Sequence, residues 1–158
     1  MAQPTSDGMA VRRALQADAA EVRELTRSSY AKWIPVIGRE PTPMVTDYDR
    51  AVREHMIDLL FVGTKLVGLS ETVDEGDHLL IENLAVSPAF QGRGYGRPLL
   101  DHAERLAASI RQPEVRVYTN RQFAANIDFY TRRGFAIDRE EPFMGGVVVH
   151  MSKHIATR

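Results

Sequence analysis

The stretch from Leu79 to Ile110, LLIENLAVSPAFQGRGYGRPLLDHAERLAASI, constrains the fold more than any other. It opens with a nearly continuous apolar run, Leu79 to Val86, which reads as a central strand buried on both faces. It closes with Leu99, Ala103, Leu106 and Ile110 at helical spacing. Pro98 is permitted there because the first helical turn has no intrahelical use for its N–H. Between the two, Gly92, Gly94 and Gly96 alternate with Arg93, Tyr95 and Arg97. A strand, a bare turn and a helix N-terminus together make an anion site. The first helical N–H groups lack partners, and the helix dipole adds partial positive charge. Glycines allow positive φ and let a ligand approach the backbone. Phosphate is the natural guest.

Two common phosphate loops are excluded by spacing. A Walker loop requires G-x-x-x-x-G-K-[ST], and no lysine follows any of these glycines. A dinucleotide fingerprint requires G-x-G-x-x-G. Counted from Gly92 its third glycine falls on Arg97, and from Gly94 on Leu99. What remains is Q-x-x-G-x-G, Gln91 to Gly96, directly after a strand.

The rest of the chain fits around this unit. Met9 to Leu15 reads as a first strand, followed by a helix from Gln16 to Ile34 in which Ala19, Val22 and Leu25 recur. Pro35 to Met44 holds three prolines and a glycine and reads as a loop. A second helix follows, with Thr46 or Asp47 as N-cap. DLLFVG and KLVGLSETVD form a hairpin around Thr64, and Glu75 to His78 is a turn. After the Gly-rich helix come a strand at Val115–Asn120, a short helix stopping at Gly134, and a last strand pair. In that pair GGVVVHMSKHI shows an alternation suited to a sheet edge. The order β-α-α-β-β-β-α-β-α-β-β implies one α/β domain over residues 9–158 with a mixed sheet; residues 1–8 read as a mobile tail.

Bulk properties narrow the classes. The 158 residues carry a formal net charge of −1, which gives no electrostatic reason to expect nucleic acid or membrane partners. No apolar run approaches the roughly 18 residues of a membrane span. The start lacks the basic and apolar regions of a signal peptide. Cysteine is absent, so disulfides, thiolate metal ligands and a cysteine nucleophile are excluded. The histidines have no metal-ligand spacing, and no metal is expected. A cytoplasmic location is the expectation.

The segment LAVSPAFQGRGYGRPLLDHAE closely resembles the acetyl-coenzyme A signature of the GCN5-related N-acetyltransferase (GNAT) superfamily. The resemblance continues through VYTNRQFAANIDFYTRRGF and covers nearly the whole chain from Met9. It implies a mostly antiparallel central sheet flanked by helices, and an acetyl-CoA-dependent N-acetyltransferase in which an amine attacks the thioester directly. The resemblance puts the pyrophosphate on backbone N–H groups of Gln91, Gly92, Arg93, Gly94, Tyr95, Gly96 and Arg97. It also implies that a bulge splays the strand before the loop from its neighbour, and that the pantetheine arm pairs with Leu84, Ala85 and Val86. A backbone N–H in that segment would polarise the thioester carbonyl. Tyr130 matches the family's general acid, Asn126 a position that hydrogen-bonds the cofactor, and Phe129 a residue packing on the cofactor arm or the core.

The acceptor amine must lose a proton. Glu82 is the candidate base, directly or through water, because an ionisable group in an apolar central strand is costly unless useful or paired. An ion pair with an arginine is its alternative role, and His78 is a second candidate base. Tyr30 and Trp33 fall in the family's variable acceptor region, with Tyr48, Arg39 and Glu40 nearby. Trp33 either walls an acceptor pocket or packs on the core, and Asn120 either faces the acceptor or satisfies a strand end. The acceptor is a small-molecule or peptide amine. A homodimer stays open, since family members often dimerise. The competing function is a non-catalytic acyl-CoA-binding sensor or interaction module of the same fold.

Overall fold

The computed structural model describes residues 3–4 and 8–156. One sheet of eight strands organises the molecule, in the order β1-β2-β3-β4-β5-β6-β8-β7. The strands are β1 (Gln3–Pro4), β2 (Met9–Arg13), β3 (Met56–Val62), β4 (Lys65–Asp74), β5 (Leu79–Val86), β6 (Glu114–Asn120), β7 (Ala136–Phe143) and β8 (Gly146–His154). Every neighbouring pair is antiparallel except β5 and β6. The α-helices are α1 (Ala19–Tyr30), the single turn α2 (Ile34–Ile37), α3 (Tyr48–Glu54), α4 (Gly96–Ser109) and α5 (Ala124–Arg132). No helix among the described residues is long and apolar enough to cross a membrane.

The helices sit where their apolar faces require. On α1, Ala19, Val22, Leu25, Thr26 and Ser29 are buried, a helical stripe that packs with α3 over β2–β5. On the other sheet face, Leu99, Leu100, Ala103 and Ala107 bury α4, and Tyr130 buries α5. Asp47, not Thr46, caps α3, accepting from the Arg50 N–H at 3.2 Å.

Several expectations are corrected. The expected loop at Pro35–Met44 holds the end of α2 and a 3₁₀ turn at Thr42–Val45. Pro35 is tolerated at the first turn of α2, and Gly38, with φ of 74°, ends it in the left-handed conformation. Within the expected tail 1–8, Gln3–Pro4 pair with Val11 and Ala10, while residues 1, 2 and 5–7 lie outside the described residues. The C-terminal strand β8 is not an edge: it lies between β6 and β7. The edge is β7, exposed at every residue, where the unpaired backbone faces water.

β5 is also not buried on both faces. Its burial alternates, with Leu79, Ile81, Asn83 and Ala85 buried and the residues between them half-buried. A register shift against β4 leaves Glu82 unpaired between Ile81↔Thr72 and Asn83↔Glu71. This bulge reverses the facing of the strand. Leu79 and Ile81 pack on the α4 side, whereas Ala85 packs on the α1 side.

Candidate active site

Beyond the bulge, β5 and β6 part. They pair only from Leu79↔Val115 to Ile81↔Val117. Glu82–Val86 of β5 and Tyr118–Asn120 of β6 therefore have no backbone pairing with each other. A parallel pair that stops halfway leaves one edge of β5 bare inside the molecule, and buried bare backbone needs a partner. A cleft of about 350 Å³ fills the fork. It brings together Glu82, Leu84, Val86, Gln91, Gly92, Gly94, Tyr95, Gly96, Asn126, Phe129, Tyr130, Tyr30 and Trp33.

The glycine loop closes one end of this cleft. Gly92 and Gly94 have φ of 76° and 84°, with open space where a Cβ would stand. Gly96 is required for another reason: a Cβ there would meet the Phe129 ring at 3.1 Å. Tyr95 leads into α4 without any side-chain cap, so the first N–H groups of the helix stay available. The loop is tied down from below, Gln91 Nε2 donating to the Val86 carbonyl at 2.8 Å. Lys32 Nζ reaches across from the α1 side to donate to Gln91 Oε1 at 2.9 Å. Arg93 lies over the Phe90 ring, 5.5 Å from its centroid. Arg97 turns outward into a separate polar hollow with Asp101, Glu104, Arg132, Arg133 and Lys153. Arg93 and Arg97 can therefore serve the cleft through their backbone, and the side chain of Ala85 points into the α1-side core.

Tyrosines and carboxylates line the middle. Tyr130 is buried, edge-on to Phe129 and Phe135, and its hydroxyl has no hydrogen-bond partner among the described residues. Burial pushes its phenol well above the ordinary value, so it is protonated throughout the neutral range and ionises only with a partner to stabilise the charge. Tyr30 is raised for the same reason, opposed by the Leu84 backbone N–H, which lies against its oxygen. Among the described residues Glu82 makes no ion pair with an arginine; it accepts from the Tyr118 hydroxyl at 2.6 Å. The other carboxylate at the fork, Glu71, is buried and engaged by His55 Nδ1 at 2.6 Å. Burial raises Glu71, and His55 offsets only part of that.

Other candidates fall away from the cleft. Asn120 Oδ1 accepts from the Gln122 N–H at 2.9 Å and closes the turn after β6. His78 stays in its turn beside Asp77. Tyr48 is buried and donates to the Pro43 carbonyl, and Glu40 pairs with Arg27. Arg39 lies over the Phe143 ring. Trp33 lines the cleft and stacks on Phe123 with centroids 4.4 Å apart. Sequence reasoning missed Tyr118, Lys32 and Arg133. Tyr118 alternates with buried Val117 and Thr119, a pattern that announces an outward residue but not what it meets.

Comparison with known proteins agrees with this geometry. Among curated protein sequences, nothing matches the chain. Among solved structures, PaiA N-acetyltransferase from Thermoplasma acidophilum, in complex with coenzyme A, superposes with a TM-score of 0.79 at 20% identity. That match covers 93% of this chain and 99% of the other. The ribosomal-protein-S18-alanine N-acetyltransferase from Escherichia coli gives 0.73 at 17% identity over 95% and 96% of the two chains. A GNAT family acetyltransferase from Elizabethkingia anophelis with acetyl-CoA bound gives 0.73 at 14% over 95% and 100%. These likenesses establish the fold. The family model for the acetyltransferase (GNAT) domain matches residues 57–137, just over half of the chain and all of the fork, and the chain belongs to the GNAT acetyltransferase family.

Proposed function

We propose that the protein is an acetyl-CoA-dependent N-acetyltransferase whose acceptor is a primary amine. The observation that carries this reading is the fork: a bare strand edge, a bare helix N-terminus, Glu82 and Tyr130 all open onto one cleft. The residues fit coenzyme A. Gly92 and Gly94 form a cradle without side chains, and the first N–H groups of α4 are available for a pyrophosphate. The free edge of β5 at Leu84–Val86 offers backbone donors and acceptors to an amide-bearing arm. Asn126 and Phe129 line the same side.

Acetyl-CoA, when bound, supplies an acetyl group activated as a thioester. The chain supplies the proton movements. Glu82 accepts the proton of the acceptor ammonium, directly or through water. A backbone N–H of β5 near Leu84 stabilises negative charge developing on the carbonyl oxygen. Tyr130, protonated at neutral pH, donates to the departing sulfur. Tyr30 and Trp33, on the α1 side, form the acceptor wall.

The test is thiol release from acetyl-CoA across a panel of primary amines, alongside coenzyme A titration by calorimetry. Coenzyme A binding together with amine-dependent thiol release is expected. Tight binding with no release from any amine would leave a binding module instead.

A further inference from the structure

Backbone pairing between β5 and β6 ends at Ile81 and Val117. The next residues, Glu82 and Tyr118, are joined through their side chains, the Tyr118 hydroxyl donating to Glu82 Oε2 at 2.6 Å. This is a charge-assisted bond of the strong kind. The second oxygen, Oε1, has no hydrogen-bond partner among the described residues. One oxygen is thus anchored while the other is available. Glu71, the neighbouring carboxylate, is committed to His55 and repels Glu82. We propose that Tyr118 is the positioning residue for Glu82: its hydroxyl anchors one carboxylate oxygen and aims the other into the cleft, so that the free oxygen takes the acceptor proton.

The surroundings favour this role. Tyr118 is itself fixed, its ring against His150 with centroids 6.1 Å apart, and His150 is held by Glu141 at 2.6 Å. Burial and the Glu82 charge both push the Tyr118 phenol upward, so it donates across the whole working range. The ionisable groups facing the pair are Glu71 on β4, with His55 behind it, Tyr30 on α1 and His150 on β8. None of these is hydrogen-bonded to Glu82, whose partner among the described residues is Tyr118.

The inference rests on reading Glu82 as the base, and one set of variants separates the two claims. Full-length wild type, Tyr118→Phe, Glu82→Gln and the double variant are compared by thiol release from acetyl-CoA with a primary amine and by coenzyme A titration. In Tyr118→Phe kcat is expected to fall about tenfold, the size of a single lost hydrogen bond to a charged group, while KM for acetyl-CoA and coenzyme A affinity stay within threefold. The double variant should be no slower than Glu82→Gln alone, because Tyr118 acts through Glu82. An unchanged kcat in Tyr118→Phe would overturn the positioning role, as would a tenfold loss of coenzyme A affinity, which would make Tyr118 a strut for the fork. Turnover of Glu82→Gln tests the base separately: wild-type thiol release there would remove Glu82 from the chemistry, whatever Tyr118→Phe shows.

Discussion

At the scale of single residues, the loop asks for glycine for two different physical reasons. Gly92 and Gly94 adopt positive φ in open space, whereas Gly96 sits within 3.1 Å of where a Cβ would strike Phe129. Gly94 therefore allows a clean test. A left-handed non-glycine residue costs about 1–2 kcal/mol of backbone strain. Gly94→Ala carries that strain with little bulk and is expected to weaken coenzyme A binding less than tenfold. Gly94→Glu adds bulk and negative charge beside the helix N-terminus and should lose at least a hundredfold, read by calorimetry. Equal losses in the two variants would mean that strain, not the phosphate site, is being measured. Tyr130 gives the complementary prediction. Tyr130→Phe keeps the edge-on packing with Phe129 and Phe135 but removes the hydroxyl. Turnover should fall on the order of a hundredfold, the usual worth of a general acid, with coenzyme A affinity little changed. Wild-type turnover would take the acid role away from it.

At the scale of elements, the site depends on how β4, β5 and α4 meet. Gly68 marks that meeting. A Cβ there would lie 2.9 Å from both the Ala85 carbonyl oxygen and Leu99 Cδ1. The carbonyl belongs to sheet backbone and cannot yield, so Gly68→Ala is expected to cost about 1–3 kcal/mol, as other overpacked cores do. For a chain of this length that is a fall of roughly 3–10 °C in Tm by calorimetry. An unchanged Tm would mean that β4 shifts freely beneath the loop. The loop and its strand were legible in the sequence because their signals are local: Gly92, Gly94 and Gly96 announce a bare backbone, and Pro98 announces a helix start. The order of elements along the chain from Met9 was legible for the same reason, whereas the pairing of Gln3–Pro4 and the interior place of β8 in the sheet were not. What was not legible depends on register. The bulge at Glu82 arises from pairing with β4 and redirects the strand, so one apolar run serves both sheet faces. Tyr118 meets Glu82 across 36 positions of sequence, and Lys32 meets Gln91 across 59. No periodicity within a segment carries such contacts. Asn120 shows the converse: of its two expected roles the structure shows the local one, its side chain satisfying the turn after β6.

At the scale of the whole molecule, Asp58 joins three elements. It sits on β3, nearly fully buried, with Arg13 of β2 at 2.8 Å and His102 of α4 at 3.1 Å. Burial pushes its carboxyl upward, but the His102 ring and the hydrogen-bonded Arg13 guanidinium beside it outweigh this and hold it below the ordinary value. Its folded value is thus lower than the roughly 3.9 of an unfolded aspartate. The unfolded chain takes up the proton first as pH falls, so the stabilisation from Asp58 is complete above about pH 5 and drains away below about pH 4. Glu71 acts in the opposite sense. Its folded value is raised, so it favours the folded state only while protonated, and that contribution is lost as pH rises through the raised value. Acidification therefore weakens the sheet-to-α4 tie at Asp58 while relieving the buried charge at the fork. Breaking the Asp58 cluster should dominate at pH 7, where its contacts with Arg13 and His102 are worth about 1–2 kcal/mol once the half-exposed Arg13 is discounted for solvent screening. Asp58→Asn is expected to lower Tm at pH 7 by roughly 2–8 °C. Its Tm should then fall less steeply than that of the wild type between pH 5 and pH 3, so that the two curves converge. Curves that stay parallel through that window would mean that Asp58 stabilises the fold by shape alone, and that acid sensitivity arises elsewhere.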